Sequence, residues 1–271
     1  MKRPFTIETA SASIQSSIRN AVISFDEMTV SVIKVTFENK GHRINGYGFC
    51  SNGRYAQDGI IKNRFMPRLH KVSPVSLLDD NGVIDPLKCW SVFMQNEKPG
   101  GHGDRAVAAG ALDMAFWDVY AKAYQKPLWK ILSEQFNDNQ FDEQIFVYPG
   151  GGYYYPGKGY EGLKDEFKKY QEQGYKVLKM KVGGDSIEED LRRIDAALSV
   201  VGNGKNLCVD ANARFDLKDA LAFAQAIQPY DLMWYEEPLD PDDFLSHAIL
   251  AESYVSSLAT GENLFSKHGL Q

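Results

Sequence analysis

A regular alternation of strand and helix patterns after residue 140 is the feature that most constrains the fold of this chain. Strand-like runs lie at 144–151, 176–184, 206–213, 232–238 and 256–263, and helical runs lie between them at 162–175, 186–202, 217–228 and 243–254. Such a series predicts a parallel sheet with helices outside it, because parallel strands need long crossover connections. Either a β/α barrel or an open doubly wound sheet would satisfy the pattern.

The first 140 residues have a different organisation. The β-rich runs 28–38 and 42–51 are joined by a turn at 39–41, which predicts a hairpin, and 5–13 is a candidate third strand. Apolar residues then recur at helical spacing over 103–125, until Pro127 ends the run. We therefore expect two domains, an N-terminal α+β domain at 1–140 and an α/β domain at 141–271.

Composition excludes several classes of function. The chain has 30 basic and 36 acidic side chains, a formal charge of -6, and no Lys/Arg block of the kind that binds nucleic acid. Its apolar runs are far shorter than the roughly 20 residues that span a bilayer, and its N-terminus has no apolar signal-peptide core. Three scattered cysteines favour a reducing compartment. We expect a cytoplasmic protein that acts on a small molecule, with no nucleic-acid or membrane partner.

Charged residues recur at the carboxyl ends of the predicted strands. Steps of 29, 26 and 26 residues separate Lys181, Asp210, Glu236 and Glu262. One βα unit per step brings these residues to one end of the sheet, where β/α barrels build their active sites. Three converging carboxylates would repel one another unless a hard divalent cation bound them, and Mg²⁺ is the natural candidate. The alternative is that each acid merely caps the helix after its strand.

Two lysines lie on one face of the strand at 176–184. Side chains alternate along a strand, so Lys179 and Lys181 point to one side and their apolar neighbours to the other. We expect this face to line an acidic cavity, where the proximity of a second ammonium would lower a lysine pKa toward that of a base. The alternative is a pair of lysines on an exposed edge strand.

A lysine base next to a Mg²⁺ site is suited to removing a proton α to a carboxylate. The K-x-K, D-x-N, E-E-P and G-E-N strand ends together resemble the enolase superfamily, in its mandelate racemase branch. The resemblance implies an α/β fold, an incomplete modified (β/α)7β TIM-like barrel with an N-terminal α+β capping domain. It also implies Lys181 as the base with Lys179 beside it, and a homo-oligomeric parent enzyme. The implied Mg²⁺ ligands are Asp210, Glu236 and Glu262.

Four further stretches, 16–21, 46–55, 96–105 and 147–159, resemble the D-tartrate dehydratases of that branch. The resemblance implies a hydroxy-diacid substrate, with D-tartrate converted to oxaloacetate. The candidate substrate contacts are Asn20, Asn52, Lys98 and Tyr155. Each has a plainer interpretation as part of a turn, a hinge or a packing surface. Another acid-sugar dehydratase, or a racemase on the same scaffold, remains an alternative.

The region 141–271 accounts for only the first five βα units of such a barrel. The histidine that the resemblance implies as a general acid, on the opposite face of the site, has no counterpart in this sequence. We therefore expect a C-terminally truncated chain with exposed strand edges, and no dehydration by the chain alone. A catalytically inactive truncated remnant is the remaining alternative.

Overall fold

The computed structural model describes residues 3–39, 41–53, 56–98 and 103–265, with only the backbone described at 39 and 51–53. The chain divides into two units. The first unit comprises Met1–Ile14 and Glu27–Gln144, and the second comprises Gln15–Asp26 and Ile145–Gln271. The segment at residues 15–26, which the sequence analysis assigned to the N-terminal domain, therefore packs with the C-terminal residues.

Three antiparallel strands form the sheet of the first unit, in the order in which they occur in the chain. They are β1 (Phe5–Ser13), β2 (Thr29–Asn39) and β3 (His42–Gly53). This confirms the predicted hairpin and its third strand. Alternate residues such as Phe5, Ile33 and Val35 are buried on one face, as the period of two requires.

Helices cover the buried face of this sheet. They are α1 (Gln57–Ile60), α2 (Met66–Lys71), α3 (Pro86–Phe93), α4 (Asp104–Ala123) and α5 (Leu128–Phe136). The π-helical turn Ile61–Phe65 joins α1 to α2, and a 3₁₀ turn lies at Pro74–Leu77. Helix α4 lies directly against β3, where a Cβ atom at Gly48 would lie 1.9 Å from the carbonyl oxygen of Ala111. Glycine is therefore required there for close packing.

The second unit has an entirely parallel sheet. Its strands are β4 (Gly150–Gly151), β5 (Leu178–Lys181), β6 (Leu207–Asp210), β7 (Trp234–Glu236) and β8 (Ser257–Ala259), in sequential order. The helices between them are α6 (Gly159–Glu172), α7 (Ile187–Val201), α8 (Leu217–Ile227) and α9 (Phe244–Ser253). Short 3₁₀ turns lie at Phe25–Glu27, Gly204–Asn206 and Gln228–Tyr230. Sequential order lacks the reversal that a doubly wound sheet requires, and it is the order of a β/α barrel.

Two predicted strand limits are wrong. The run 144–149 is not a strand, and Ile145 is 84% exposed. Gly150 and Gly151 have register partners on the short strand β5, and the carbonyl oxygen of Pro149 accepts from the backbone amide of Lys179 at 3.1 Å, but the structure assigns no described strand partner to residues 144–148. Strand β8 ends at Ala259, three residues before Glu262, which lies in the following turn.

Helix α7 has a side-chain cap at Ser186, the residue directly before it. The hydroxyl of Ser186 accepts a hydrogen bond from the backbone amide of Glu189, at 3.2 Å. The carboxylate of Glu189 does not complete a capping box, because it accepts instead from Tyr160 and Arg192. Within the described part of the chain, no helix combines the length and apolar character needed to cross a bilayer.

Candidate active site

The strand register of the second unit sets three charged residues side by side. Lys181 is the register partner of Asp210, which in turn is the partner of Glu236, and each is the last residue of its strand. Their side chains therefore leave the sheet at one level. Glu236 is level with Ala259 of β8, so Glu262 reaches the same place from the turn after that strand.

Three carboxylates converge at this end of the sheet. Asp210, Glu236 and Glu262, called here the carboxylate triad, each place an oxygen within 4.8 Å of the others. Asp210 is fully buried, Glu236 is buried and Glu262 is exposed. The triad thus has one buried side and one side open to solvent.

Both lysines of β5 contact the triad. Lys179 Nζ lies 3.0 Å from Asp210 Oδ2 and 2.5 Å from Glu236 Oε1, and Lys181 Nζ lies 2.6 Å from Asp210 Oδ2. The two side chains therefore share one face of the strand, as alternation predicts, whereas Leu178 belongs to the apolar core on the other face. The alternative of an exposed lysine pair is wrong, because Lys181 is buried.

The charges shift the pKa values in different directions. Burial would raise the pKa of Asp210, but Lys181 and Lys179 outweigh burial and hold that pKa below its usual value. Burial and the negative charge of Asp210 raise the pKa of Glu236. Burial would lower the pKa of Lys179, but the two carboxylates raise it above the usual range. The expectation that the lysine pair lowers this pKa is wrong for Lys179, because Asp210 and Glu236 are both in ion-pair contact with its ammonium.

Strained backbone shapes the loops around the triad. Asn212, Ala213 and Glu237 have positive φ angles of 48°, 60° and 38°, which non-glycine residues rarely adopt. The turn at Asn212 returns its backbone amide to Asp210 Oδ1 at 2.9 Å. The side-chain amide of Asn212 donates to Glu262 Oε1 at 3.5 Å, so this residue connects two members of the triad.

The residues present fit a hard divalent cation. Carboxylate oxygens are the ligands that Mg²⁺ prefers, and three of them converge here. Asn212 Oδ1 is buried and has no hydrogen-bond partner in the described residues, so a further neutral oxygen is available beside the triad. We conclude that this end of the sheet is chemically suited to bind Mg²⁺.

Aromatic rings surround the lysines. Lys179 Nζ lies 5.9 Å from the ring centroid of Tyr148, and Lys181 Nζ lies 5.3 Å from that of Tyr153. Trp234 packs against Tyr148 edge-on and donates from Nε1 to Glu236 Oε2 at 2.9 Å. These rings restrict water around the charged groups, which strengthens the electrostatic interactions among them.

Asn20 and Tyr155, two of the four candidate substrate contacts, lie in the second unit. Asn20 is buried, and its Oδ1 accepts from the backbone amides of Val22 and Ile23 at 2.8 and 2.6 Å. That leaves only its side-chain N–H group to donate to a ligand. Tyr155 is half-exposed, with Lys158 Nζ 4.7 Å from its ring centroid.

The other two candidates lie in the first unit. Lys98 is exposed, and its carbonyl oxygen accepts from Arg105 at 2.7 Å. The side chain of Asn52 lies outside the described residues, although its backbone belongs to β3. The roles of all four residues as substrate contacts stay predictions.

The sequence analysis missed several residues that shape the site. Trp234 precedes Glu236 by two positions, so strand alternation alone could have placed it on the same face. Tyr153 lies two positions before Tyr155, a residue that was already a candidate substrate contact, so the same spacing could have pointed to it. Nothing local in the sequence distinguishes Asp190 and Arg193 of α7 from the residues of a solvated helix face.

Comparison with known proteins first defines the class. Residues 162–271 match the family model "Enolase C-terminal domain-like". A mandelate racemase/muconate lactonizing enzyme-like protein from Rubrobacter xylanophilus superimposes with a TM-score of 0.77 at 22% identity, over 99% of this chain and 69% of that one. A racemase from Streptomyces coelicolor, crystallised with bound magnesium, also has a TM-score of 0.77, at 26% identity over 97% of this chain and 69% of that chain.

Three curated relatives are between 29% and 34% identical to this chain over the aligned residues. An arabinonate dehydratase from Saccharolobus solfataricus is 29% identical over 72% of this chain and 51% of its own length. A 3,6-anhydro-alpha-L-galactonate cycloisomerase from Streptomyces coelicolor is 34% identical over 61% of this chain and 43% of its own length. An L-talarate/galactarate dehydratase from Salmonella typhimurium is 32% identical over 82% of this chain and 52% of its own length. The chain therefore spans about half the length of the curated relatives it matches.

These findings support the resemblance to the enolase superfamily over residues 162–271. The segment 162–271 carries an enolase C-terminal domain-like sequence, and the chain as a whole has mandelate racemase-like structural neighbours. The relatives named above are dehydratases of acid sugars and a cycloisomerase of a sugar acid. None of these three names D-tartrate, so the tartrate assignment stays a prediction.

Proposed function

We propose that this chain carries the proton-abstracting site of a Mg²⁺-dependent acid-sugar dehydratase. The observation that carries the proposal is the carboxylate triad with Lys181 Nζ 2.6 Å from its buried member, Asp210. A cation site and a lysine in contact with it are the two groups needed to ionise a C–H bond beside a carboxylate.

The triad and Asn212 would hold the metal ion. Bound there, Mg²⁺ supplies positive charge that stabilises negative charge as it develops on the substrate carboxylate. Support comes from the oxygen donors themselves and from the racemase at 26% identity, whose structure contains magnesium. Lys179, in contact with Asp210 and Glu236, adds a second positive charge beside that carboxylate.

Lys181 is the proposed base. Its unprotonated amine takes the proton from the carbon α to the carboxylate, and the C–H electron pair moves toward the carboxylate to form an enediolate. The electron pair then returns to form a C=C bond as the β-hydroxyl leaves, protonated by a general acid and released as water. The resulting enol ketonises to an α-keto acid, so the overall reaction is loss of water.

We further propose a hydroxy-diacid as the substrate class, with D-tartrate giving oxaloacetate as the first choice. Support comes from the relative at 32% identity that is named for talarate and galactarate, which are hydroxy-diacids. Of the candidate contacts, Lys98 could recognise the second carboxylate as a point charge. Asn20, Asn52 and Tyr155 would recognise hydroxyl groups.

Substrate-dependent hydrogen exchange in D₂O tests the proposal. The protein with saturating Mg²⁺ should incorporate deuterium at the α-carbon of hydroxy-diacids, fastest with D-tartrate, and excess EDTA should abolish incorporation. Proton NMR follows the loss of the α-proton signal, and formation of α-keto acid is measured separately. Exchange that is insensitive to EDTA, or absent with every hydroxy acid of a panel that includes arabinonate and galactarate, would refute the proposal.

Racemisation or cycloisomerisation is the second candidate function. It is favoured by the cycloisomerase at 34% identity and the racemase structure at 26% identity. Both reactions can begin with the same proton abstraction, but neither releases water. The configuration of the recovered substrate distinguishes a racemase, which returns both stereoisomers, from a dehydratase, which returns unconverted substrate of the original configuration. A cycloisomerase gives an isomer of its substrate and no loss of water.

A further inference from the structure

A buried ionic network lies at the carboxyl end of β5, outside the carboxylate triad. Asp190 is fully buried in the first turn of α7. Its carboxylate accepts from Tyr154 Oη at 2.7 Å, from Arg193 Nη1 at 2.8 Å and from the backbone amide of Gly183 at 2.6 Å. Three donors, one of them charged, compensate the burial of this carboxylate.

Arg193 connects two strand ends. Its guanidinium donates to the carbonyl oxygen of Lys181 at 2.9 Å and to that of Gly152 at 2.5 Å. Lys181 is the last residue of β5, and Gly152 directly follows β4. The guanidinium also stacks 3.9 Å from the ring centroid of Tyr154. Arg193 therefore holds the backbone of the proposed base from outside the triad.

Tyr154 extends the network to the segment that bears Asn20. Its backbone N–H and C=O groups exchange hydrogen bonds with Arg19, at 2.8 and 2.9 Å, and Arg19 directly precedes Asn20. Its hydroxyl accepts from the amide of Gly184 at 3.0 Å. A Cβ atom at Gly184 would lie 2.6 Å from the Tyr154 ring, so this contact depends on glycine.

We propose that Tyr154, Asp190 and Arg193 are positioning residues that hold Lys181 in place for proton transfer and fix the Asn20 segment to the same strand end. The inference rests on the proposed function, in which Lys181 is the base. A lysine side chain is long and flexible, so its amine is placed by a fixed backbone at one end and by the contact with Asp210 at the other. A displacement of about 1 Å at a reacting group can cost about 10²-fold in rate.

Arg193→Met is the principal test, because methionine retains much of the apolar stem and removes every donor. Tyr154→Phe is a milder change that removes only the hydroxyl, and Arg193→Lys restores one charged donor. Tyr160→Phe is the matched control. That tyrosine hydroxyl also bonds to α7, through Glu189 at 2.5 Å, but none of its described contacts is to the backbone of residues 181–184.

The first readout needs no turnover. The acetylation rate of Lys181 by an N-hydroxysuccinimide ester, with saturating Mg²⁺, is mapped by peptide mass spectrometry and normalised to the exposed Lys168. We expect Arg193→Met to raise the Lys181 rate at least about 5-fold, because a freed strand end exposes a buried amine. Tyr160→Phe should leave it within about 2-fold of the parent rate.

The second readout separates positioning from general destabilisation. For α-proton exchange, we expect Arg193→Met to lower kcat about 10- to 100-fold while KM changes less than about 2-fold, with partial rescue in Arg193→Lys. Equal labelling of Lys181 in Arg193→Met, Tyr154→Phe and the control would overturn the inference, as would a parallel rise at every lysine. If Lys181→Met still exchanged the α-proton, the proposed function would fail, yet labelling would still decide whether the network positions Lys181.

Discussion

Each unit of this protein gathers charges around a carboxylate, and the two clusters have opposite balances. In the first unit, the side chain of Glu97 is only 4% exposed and is ion-paired with Arg64 at 2.7 Å, Arg68 at 2.6 Å and Arg105 at 3.4 Å. Arginine is suited to such clusters because its guanidinium is always charged and donates in a fixed geometry. One carboxylate is shared by three cations there.

The second unit has the reverse arrangement. Three carboxylates of the triad share two ammonium groups, those of Lys179 and Lys181, so negative charge is in excess. The three guanidinium groups around Glu97 would repel a further cation, whereas the triad offers oxygens on several sides. The difference teaches that the balance of charges, rather than their number, distinguishes a cluster that stabilises the fold from one that binds a metal ion.

The largest expected effect is on the rate of α-proton exchange, which we assign to the second unit. Lys181→Met should lower α-proton exchange by about 10²- to 10⁴-fold, because it removes the proposed base while keeping the length of the side chain. Deuterium incorporation is measured by NMR with saturating Mg²⁺. Lys168→Met, on an exposed surface of α6, is the control and should exchange at the parent rate. Exchange by Lys181→Met at the parent rate would require another base.

The next effect is on stability in the first unit. Glu97→Ala should lower the free energy of unfolding by about 2 kcal/mol, because it leaves three guanidinium groups facing one another without their shared carboxylate. The expected loss of stability is smaller than that for breaking a fully buried ion pair, because Arg64 is half-exposed. Urea unfolding at pH 7 measures it. An unchanged midpoint would show that this cluster contributes nothing to the fold.

A smaller effect on Mg²⁺ affinity is expected from Glu237, which is hydrogen-bonded to residues near Glu262 of the triad. Glu237 accepts from Thr260 Oγ1 at 3.3 Å and from Asn263 Nδ2 at 2.9 Å, the residues that flank Glu262 in its turn. Glu237→Gln removes one acceptor and should lower Mg²⁺ affinity about 10-fold, as changes to groups that orient metal ligands do. The exposed Glu252→Gln is the matched control in calorimetry. Equal affinities in the two variants would show that Glu262 needs no such support.

The smallest effect concerns a partly buried carboxylate of α4, one oxygen of which is buried without a hydrogen-bond partner in the described residues. That oxygen is Oδ1 of Asp113, and burial raises the pKa of this carboxyl to about 6. The folded protein therefore holds this proton more tightly than the unfolded chain does, so stability falls as pH rises from about 4 through 6. Asp113→Asn should gain at most about 1 kcal/mol over the parent at pH 7 and nothing at pH 4.

Urea unfolding at the two pH values measures that gain, with the exposed Asp142→Asn as the control. A gain of equal size at both pH values would show that the carboxyl proton is not its origin.

Much of the site could be predicted from the sequence because strand alternation and strand ends are local properties. The K-x-K spacing was enough to put Lys179 and Lys181 on one face, and the strand ends were enough to place Asp210 beside Glu236. Glu262 was a less direct prediction, since it reaches the triad from a turn and not from the end of β8.

The rest depends on tertiary neighbours that no local pattern encodes. The run 144–149 is apolar and β-branched or aromatic like a strand, yet only Pro149 at its end bonds to β5, and residues 144–148 stay out of the sheet. Asp190 and Arg193 have the spacing of an ordinary solvated helix face, and only packing against the ends of β4 and β5 buries Asp190 and brings Arg193 to the backbone of Lys181. Charged residues can be located on an element from sequence, but their burial requires the fold.

Calorimetric titration of Mg²⁺ into the protein and two variants tests the central claim most directly. Asp210→Asn removes one charge from the triad, and Glu97→Gln makes the same change in the arginine-rich cluster. We expect one Mg²⁺ per chain, with affinity reduced at least about 10-fold by Asp210→Asn, because a hard cation loses an anionic ligand. Glu97→Gln should leave the affinity within about 2-fold of the parent value. Unchanged affinity in Asp210→Asn, or an equal loss in both variants, would contradict the account.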